Sequence, residues 1–233
     1  MPGTGPPASD RSEPTPSTTP PAAGDGETLP LSRERVVAAA VALAERDGLD
    51  ALSMRRLAGE LGVSTMAAYR HVPAKQTLVE DVIEFAVTQI PTADVLAGDG
   101  DWSDRLEELV VASHRTLSRF PGLLSHLRAG AVGRPRILNW LGAISSLVEA
   151  SGADEERRAG AVTAVVWCLN GAERLEEDQE LMVTALGDVA DAAEPVDVDP
   201  VEWGESIGRR SGEDLLRLTV GTIVAGLRET VAR

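Results

Sequence analysis

The chain has 233 residues, with 22 Lys or Arg against 37 Asp or Glu, a formal charge of −15, one cysteine and 3% aromatic residues. That length holds one large or two small cores; the single Cys168 excludes an intrachain disulfide and fits a reducing compartment as a small apolar helix residue. The acidic balance confines any attraction for nucleic acid to a local patch, and with neither a signal-peptide pattern nor an apolar run of about twenty residues, a soluble, cytoplasmic protein without membrane contact is expected.

Eight of the fourteen prolines fall within Met1–Pro30, beside Gly, Ser and Thr and almost no large apolar residues, so 1–30 is expected to be a disordered tail. Apolar periodicity then predicts helices over 32–47, 54–61, 65–71, 74–90, 102–120, 123–129, 134–151, 154–183 and 212–232. No sustained period-2 run of β-branched residues competes with them, so the fold class is all-α. Pro91 and the run Ala97-Gly-Asp-Gly100 mark a break between a three-helix part, 31–91, and a larger helical part, 92–233.

Within the first part, Leu52 to Lys75 have the grammar of a helix-turn-helix. Ser53 can cap one short helix, Gly62 supplies the permissive backbone that ends it, Ser64 can cap a second, and Pro73 stops that one. An ordinary helical hairpin would use Leu57, Leu61, Val63 and Ala68 as core. It would not account for Arg55, Arg56, Thr65, Tyr69, Arg70, His71 and Lys75, all able to donate to phosphates or base edges. Between Ser53 and Leu78 four basic residues face one acidic, Glu60, and Lys75 is the only lysine of the chain. The second part is acidic, with fourteen basic residues against twenty-five acidic over 91–233.

This segment resembles the DNA-binding domain of the tetracycline-repressor (TetR) family of bacterial transcription regulators. The run from Leu31 to Ala44 resembles the family's first helix, the run from Asp47 to Ala58 its link into the second, and Tyr69, His71, Val72 and Lys75 its Tyr-x-His-Val-x-x-Lys ending. From donor chemistry and from what the resemblance implies, Arg55, Thr65, Met66, Ala67 and Arg70 are candidates for base edges or thymine methyls, and Ser53, Tyr69, His71 and Lys75 for phosphates. Arg55 and Arg56 point about 100° apart on a helix, so one of them faces DNA, and Arg55 is preferred.

The last helix has apolar residues on more than one face, with Gly221 and Gly226 among them, which suggests contact across a twofold axis with the helix over 154–183. Ala161, Val165, Leu216, Val220, Val224 and Leu227 are the candidate dimer residues, and the family similarly dimerises through four helices. Phe85, Trp102, Phe120, Trp140 and Trp167 either line a ligand cavity or serve singly as core aromatics.

Ser125-His126-Leu127 and the run from Leu175 to Glu180 resemble the tetracycline repressor's own subgroup, in which a matching His holds a magnesium–drug complex and a matching Glu reaches the metal's water. That resemblance makes His126 and Glu177 ligand candidates, but Pro91 and Leu109 stand where the subgroup grips the drug, so tetracycline itself is not expected, nor any resident metal or cofactor. No nucleophile elbow, phosphate loop or His pair at metal spacing supports an enzyme. The expected function is a homodimeric repressor of double-stranded operator DNA, palindromic and released by a small molecule. The alternative is a helical interaction or ligand-binding protein whose helix-turn-helix has lost DNA, against which Arg55, Tyr69, His71 and Lys75 argue.

Overall fold

Side-chain caps set where the first helices begin. Ser32, Ser53 and Ser64 have extended backbone, and their hydroxyl oxygens accept from the amides of Arg35, Arg56 and Ala67 at 3.2, 3.2 and 3.1 Å. Each such cap contributes about 1 kcal/mol. They open α1 (Arg33–Asp47), α2 (Met54–Glu60) and α3 (Thr65–His71) in a computed structural model that describes residues 30–127, 133–190 and 210–231, the side chains of 175–190 and of the last two excepted. The tail expected over 1–30 lies, but for Pro30, outside the described residues.

The remaining helices among the described residues are α4 (Lys75–Thr88), α5 (Thr92–Ala97), α6 (Trp102–Leu117), α7 (Pro135–Glu149), α8 (Glu155–Ala190) and α9 (Gly212–Val231), with a 3₁₀ turn at Leu124–His126. No strand occurs among the described residues. α2 packs on α3, and α1 packs on α2, α3 and α4. α4 in turn touches α6 and α7; α6 lies against α5, α7, α8 and α9, and α8 against α7 and α9.

The helix expected over 154–183 runs on to Ala190, and three further elements differ from expectation, each for a local reason. α6 ends at Leu117 rather than 120, because Pro121 cannot continue the helix, while Phe120 is buried. Of the helix expected over 123–129, residues 128 and 129 lie outside the described residues, and the described part forms a 3₁₀ turn: Gly122 has φ +76°, and the Ser125 hydroxyl donates to its carbonyl at 2.7 Å instead of leaving that oxygen to a helix. α5 forms inside the expected break. Pro91 starts it, its carbonyl accepting from Val95 N at 3.1 Å, and Val95 is its one buried side chain. Six residues with one buried position carry no readable periodicity.

In the larger part, Trp140 of α7 is fully buried and its indole N–H donates to Ser113 Oγ on α6 at 2.9 Å, while Ser113 donates to the Leu109 carbonyl at 2.6 Å. A buried indole and hydroxyl are thereby both satisfied. α9 is held to α6 by ion pairs: Arg115 makes two 2.7 Å bonds to Glu213, whose carboxyl sits below its usual range through that bond, and through Arg217, in spite of some burial. Cys168 is half-buried on α8, and burial pushes its thiol pKa up.

The expected dimer residues require correction. Ala161, Val165, Leu216, Val220 and Leu227 are buried within one chain, and Val224 is half-buried, because α9 already spends that stripe on α6 and α8. What each helix leaves outside is different: Trp167 on α8, 72% exposed, and Leu218 on α9, 57% exposed.

Candidate nucleic-acid interface

The turn between α2 and α3 is built on Gly62, whose φ of +65° favours a residue without a β-carbon, and on Val63, whose amide donates to the Ala58 carbonyl at 3.0 Å. Leu57, Ala58 and Ala68 are buried at the crossing, so α3 is fixed by its inner face. Its outer face carries Met66 and Tyr69, both exposed, and Arg70; Thr65, Ala67 and His71 are half-buried beside them. Ser53 is half-buried and already occupied as the α2 cap. His71 also adds attraction for the Glu34 carboxyl, which lies below its usual range chiefly through a backbone hydrogen bond and the Ser32 hydroxyl.

Ion pairing sorts the cations around this face. Arg56 donates to Asp47 at 2.7 Å, Arg46 bridges Asp47 and Glu60 at 2.9 and 2.6 Å, and Arg33 donates to Asp81 at 2.6 Å. Arg55, Arg70 and Lys75 have no ion-pair or side-chain hydrogen-bond partner among the described residues and are exposed. Three unneutralised cations therefore stand on α2, on α3 and at the start of α4, flanking the exposed side chains of α3. Fully hydrated cations presented by a rigid hairpin are what phosphate and base contacts require.

The family profile described as "Bacterial regulatory proteins, tetR family" matches residues 36–82. The HTH-type transcriptional repressor DrrR1 of Streptomyces coeruleorubidus is 32% identical over 163 residues, 69% of this chain and 58% of that repressor. The class C tetracycline repressor of Escherichia coli is 33% identical over 87 residues, 37% of this chain and 40% of that protein. The matches thus span less than two thirds of either relative. Among solved structures, the Streptomyces coelicolor TetR family protein ActR in complex with (S)-DNPA superposes with a TM-score of 0.69 at 20% identity, over 87% of this chain and 99% of that one.

The chain belongs to the TetR family.

In this TetR-family chain the profile match runs from Val36 in α1 to Val82 in α4 and so contains the whole hairpin and the three free cations Arg55, Arg70 and Lys75. The residues named as ligand candidates lie beyond it or at its edge, and they do not converge. Phe85 is exposed in a cleft with Arg33, Val37 and Val41; Trp167 is on the outer face of α8; Trp102 lies under the Arg228 guanidinium at 5.9 Å from its ring centre. His126 Nε2 pairs with Asp50 Oδ1 at 2.8 Å, and Glu177 lies on α8 among the residues whose side chains are not described. Trp140 borders a cavity of about 630 Å³ between the end of α4, α5 and the length of α7 from Arg136 to Ser146. Bulk and rarity in the sequence pointed to aromatics; the cavity is walled mainly by aliphatic and small polar side chains, which carry no such signal.

Two junctions that sequence reading missed join the hairpin part to the rest. At one, Leu49 N donates to the Pro121 carbonyl at 3.0 Å, beside Gly48, whose φ is +81° and where a β-carbon would come within 3.2 Å of that same oxygen; Arg119 also pairs with Glu45. At the other, Arg134 at the start of α7 reaches Asp81 and Glu84 at 2.8 and 2.9 Å and Glu80 at 3.2 Å, all on α4. Burial alone would lower the Arg134 pKa, but the bonds it donates to Glu84, Asp81 and Glu80 outweigh it and raise the value. Glu80, Asp81 and Glu84 form an acidic stripe at helical spacing, a signal visible in sequence only once a facing cation is known.

Proposed function

We propose that this chain is a homodimeric, ligand-responsive transcription regulator that represses from a palindromic operator and leaves it when a small molecule binds. Residues 31–91 read DNA and 92–233 bind ligand and dimerise. The observation that carries the reading is the trio Arg55, Arg70 and Lys75, unpaired around the exposed face of α3 while Arg33, Arg46 and Arg56 are neutralised. Such a protein acts on the chromosome and is cytoplasmic; no helix among the described residues is long and apolar enough to cross a membrane.

Two α3 helices in a dimer address half-sites about 34–36 Å apart, which makes the operator a palindrome. The names of the relatives fit this picture, since one is a transcriptional repressor and the other a tetracycline repressor. Exposed Trp167 and Leu218 supply the dimer surface, and a β-carbon at Gly160, Gly171 or Gly221 would meet nothing, so a partner helix can approach closely there. Trp167→Glu and Leu218→Glu should each shift the protein from dimer to monomer in light scattering without loss of helicity. A variant pair that stays dimeric places the surface elsewhere.

Release is a population shift. A ligand that binds more tightly when the two DNA heads are wrongly spaced lowers operator affinity by its differential binding, about 1–3 kcal/mol. α4, touching α1 on one side and α6 and α7 on the other, is the lever. The deciding experiment is binding of purified protein to DNA from immediately upstream of its own coding region, at fixed salt, with Tyr69→Ala as control. Dimer-stoichiometric binding that competitor DNA does not remove is the expected result, and absence of any sequence preference at low salt would overturn the reading.

A further inference from the structure

The cavity between the end of α4, α5 and the length of α7 has a composition at odds with the rest of the surface. In a chain of formal charge −15, no carboxylate lines it. Four other clefts among the described residues each include at least one, such as Glu107 and Glu108, Asp50 and Glu173, Glu155, or Glu34. Its apolar wall is formed by Ile90, Leu96 and Leu138, and its polar groups by Arg136, Asn139 and Ser146. Arg136 is exposed to it and has no ion-pair or hydrogen-bond partner among the described residues, although Arg134, two positions earlier, is bound by three carboxylates.

We infer that this cavity takes an amphipathic organic anion, an apolar body with one carboxylate, sulfonate or phenolate that pairs with Arg136. A volume of about 630 Å³ suits a small organic molecule. Burying the apolar body against Ile90, Leu96 and Leu138 supplies affinity, and the guanidinium supplies a charge-assisted bond that a neutral or cationic molecule cannot make. An acidic surface disfavours anions at the competing clefts, so the selectivity is local to Arg136. The inference rests on the ligand-responsive reading only for the step from occupancy to DNA release. That step has a short path, because Arg136 and Arg134 share the first turn of α7 and Arg134 grips α4.

The probes are 8-anilinonaphthalene-1-sulfonate and N-phenyl-1-naphthylamine, which share one ring system and differ by the sulfonate. Titrated into the full chain, the sulfonate should bind once per chain and about tenfold or more tighter than the neutral amine, a preference that weakens as salt is added. Arg136→Gln should remove that preference while leaving the amine's affinity unchanged, and Arg136→Lys should keep part of it. Gly142→Phe fills the cavity from a position where a β-carbon meets nothing, and should abolish binding of both probes. Thermal melts of each variant establish that it is folded. Equal affinities for the two probes, an unchanged ratio in folded Arg136→Gln, or undiminished binding in folded Gly142→Phe would each overturn the inference. DNA binding is read separately on the unliganded protein: a chain that discriminates the probes as stated yet has no DNA sequence preference upholds the anion site and overturns the regulator reading.

Discussion

Arg55→Ala combined with Arg70→Ala should lower specific operator affinity by roughly 100-fold or more, since each base-reading arginine is worth about 1–3 kcal/mol and a dimer presents each twice. Neither side chain has a partner to lose, and both are exposed, so the melting curve should stay within about 0.5 kcal/mol of the parent. Fluorescence anisotropy on operator and scrambled duplexes at one salt concentration checks both halves. Lys75→Gln is the contrast: a phosphate contact weakens both duplexes alike and reduces the slope of log affinity against log salt by about 1 per contact. If the double arginine variant kept its preference for the operator, α2 and α3 would not be the reading surface, and their exposed cations would be a solvated face only.

Arg134→Ala is expected to have the largest effect on stability among surface-reaching residues, about 2–4 kcal/mol, because it strands three carboxylates that are at least partly removed from water. Asp81 is nearly covered, with a side chain 9% exposed, and keeps only Arg33; Glu80 and Glu84 keep no cation on α7. Urea unfolding measures the loss. A cycle with Asp81→Asn should return a coupling between the two positions well above the 0.3–0.5 kcal/mol or so seen for independent sites. Were the single variant as stable as the parent, α4 and α7 would be joined by packing alone, and the lever would need another fulcrum.

The hairpin was legible because its instructions are local. Ser53, Ser64, Gly62 and Pro73 each act within one turn of the backbone they control, so spacing alone fixes two helices and the bend between them. The rest depends on partners far away in sequence. Nothing near Arg134 announces that it meets residues on α4, and α9 illustrates the general difficulty. Apolar positions on several faces show that more than one neighbour is needed, but not which neighbour belongs to the same chain. Leu216 and Val220 turned out to serve the protomer's own core, leaving Leu218 outside. The aromatic residues do not share one place for a related reason: Trp140 borders the cavity with its indole tied to Ser113, and Phe85, Trp102 and Trp167 are scattered over three separate surfaces.

The chain's single lysine has a practical consequence. Lys75 stands exposed and unpaired at the start of α4, so an acylating reagent has one side-chain amine to find, and that amine lies on the face assigned to DNA. Footprinting with such a reagent becomes a one-residue assay of occupancy, read by mass, in which bound duplex shields the site. The same arrangement means that coupling through the side-chain amine would tether the molecule by the surface it is meant to display.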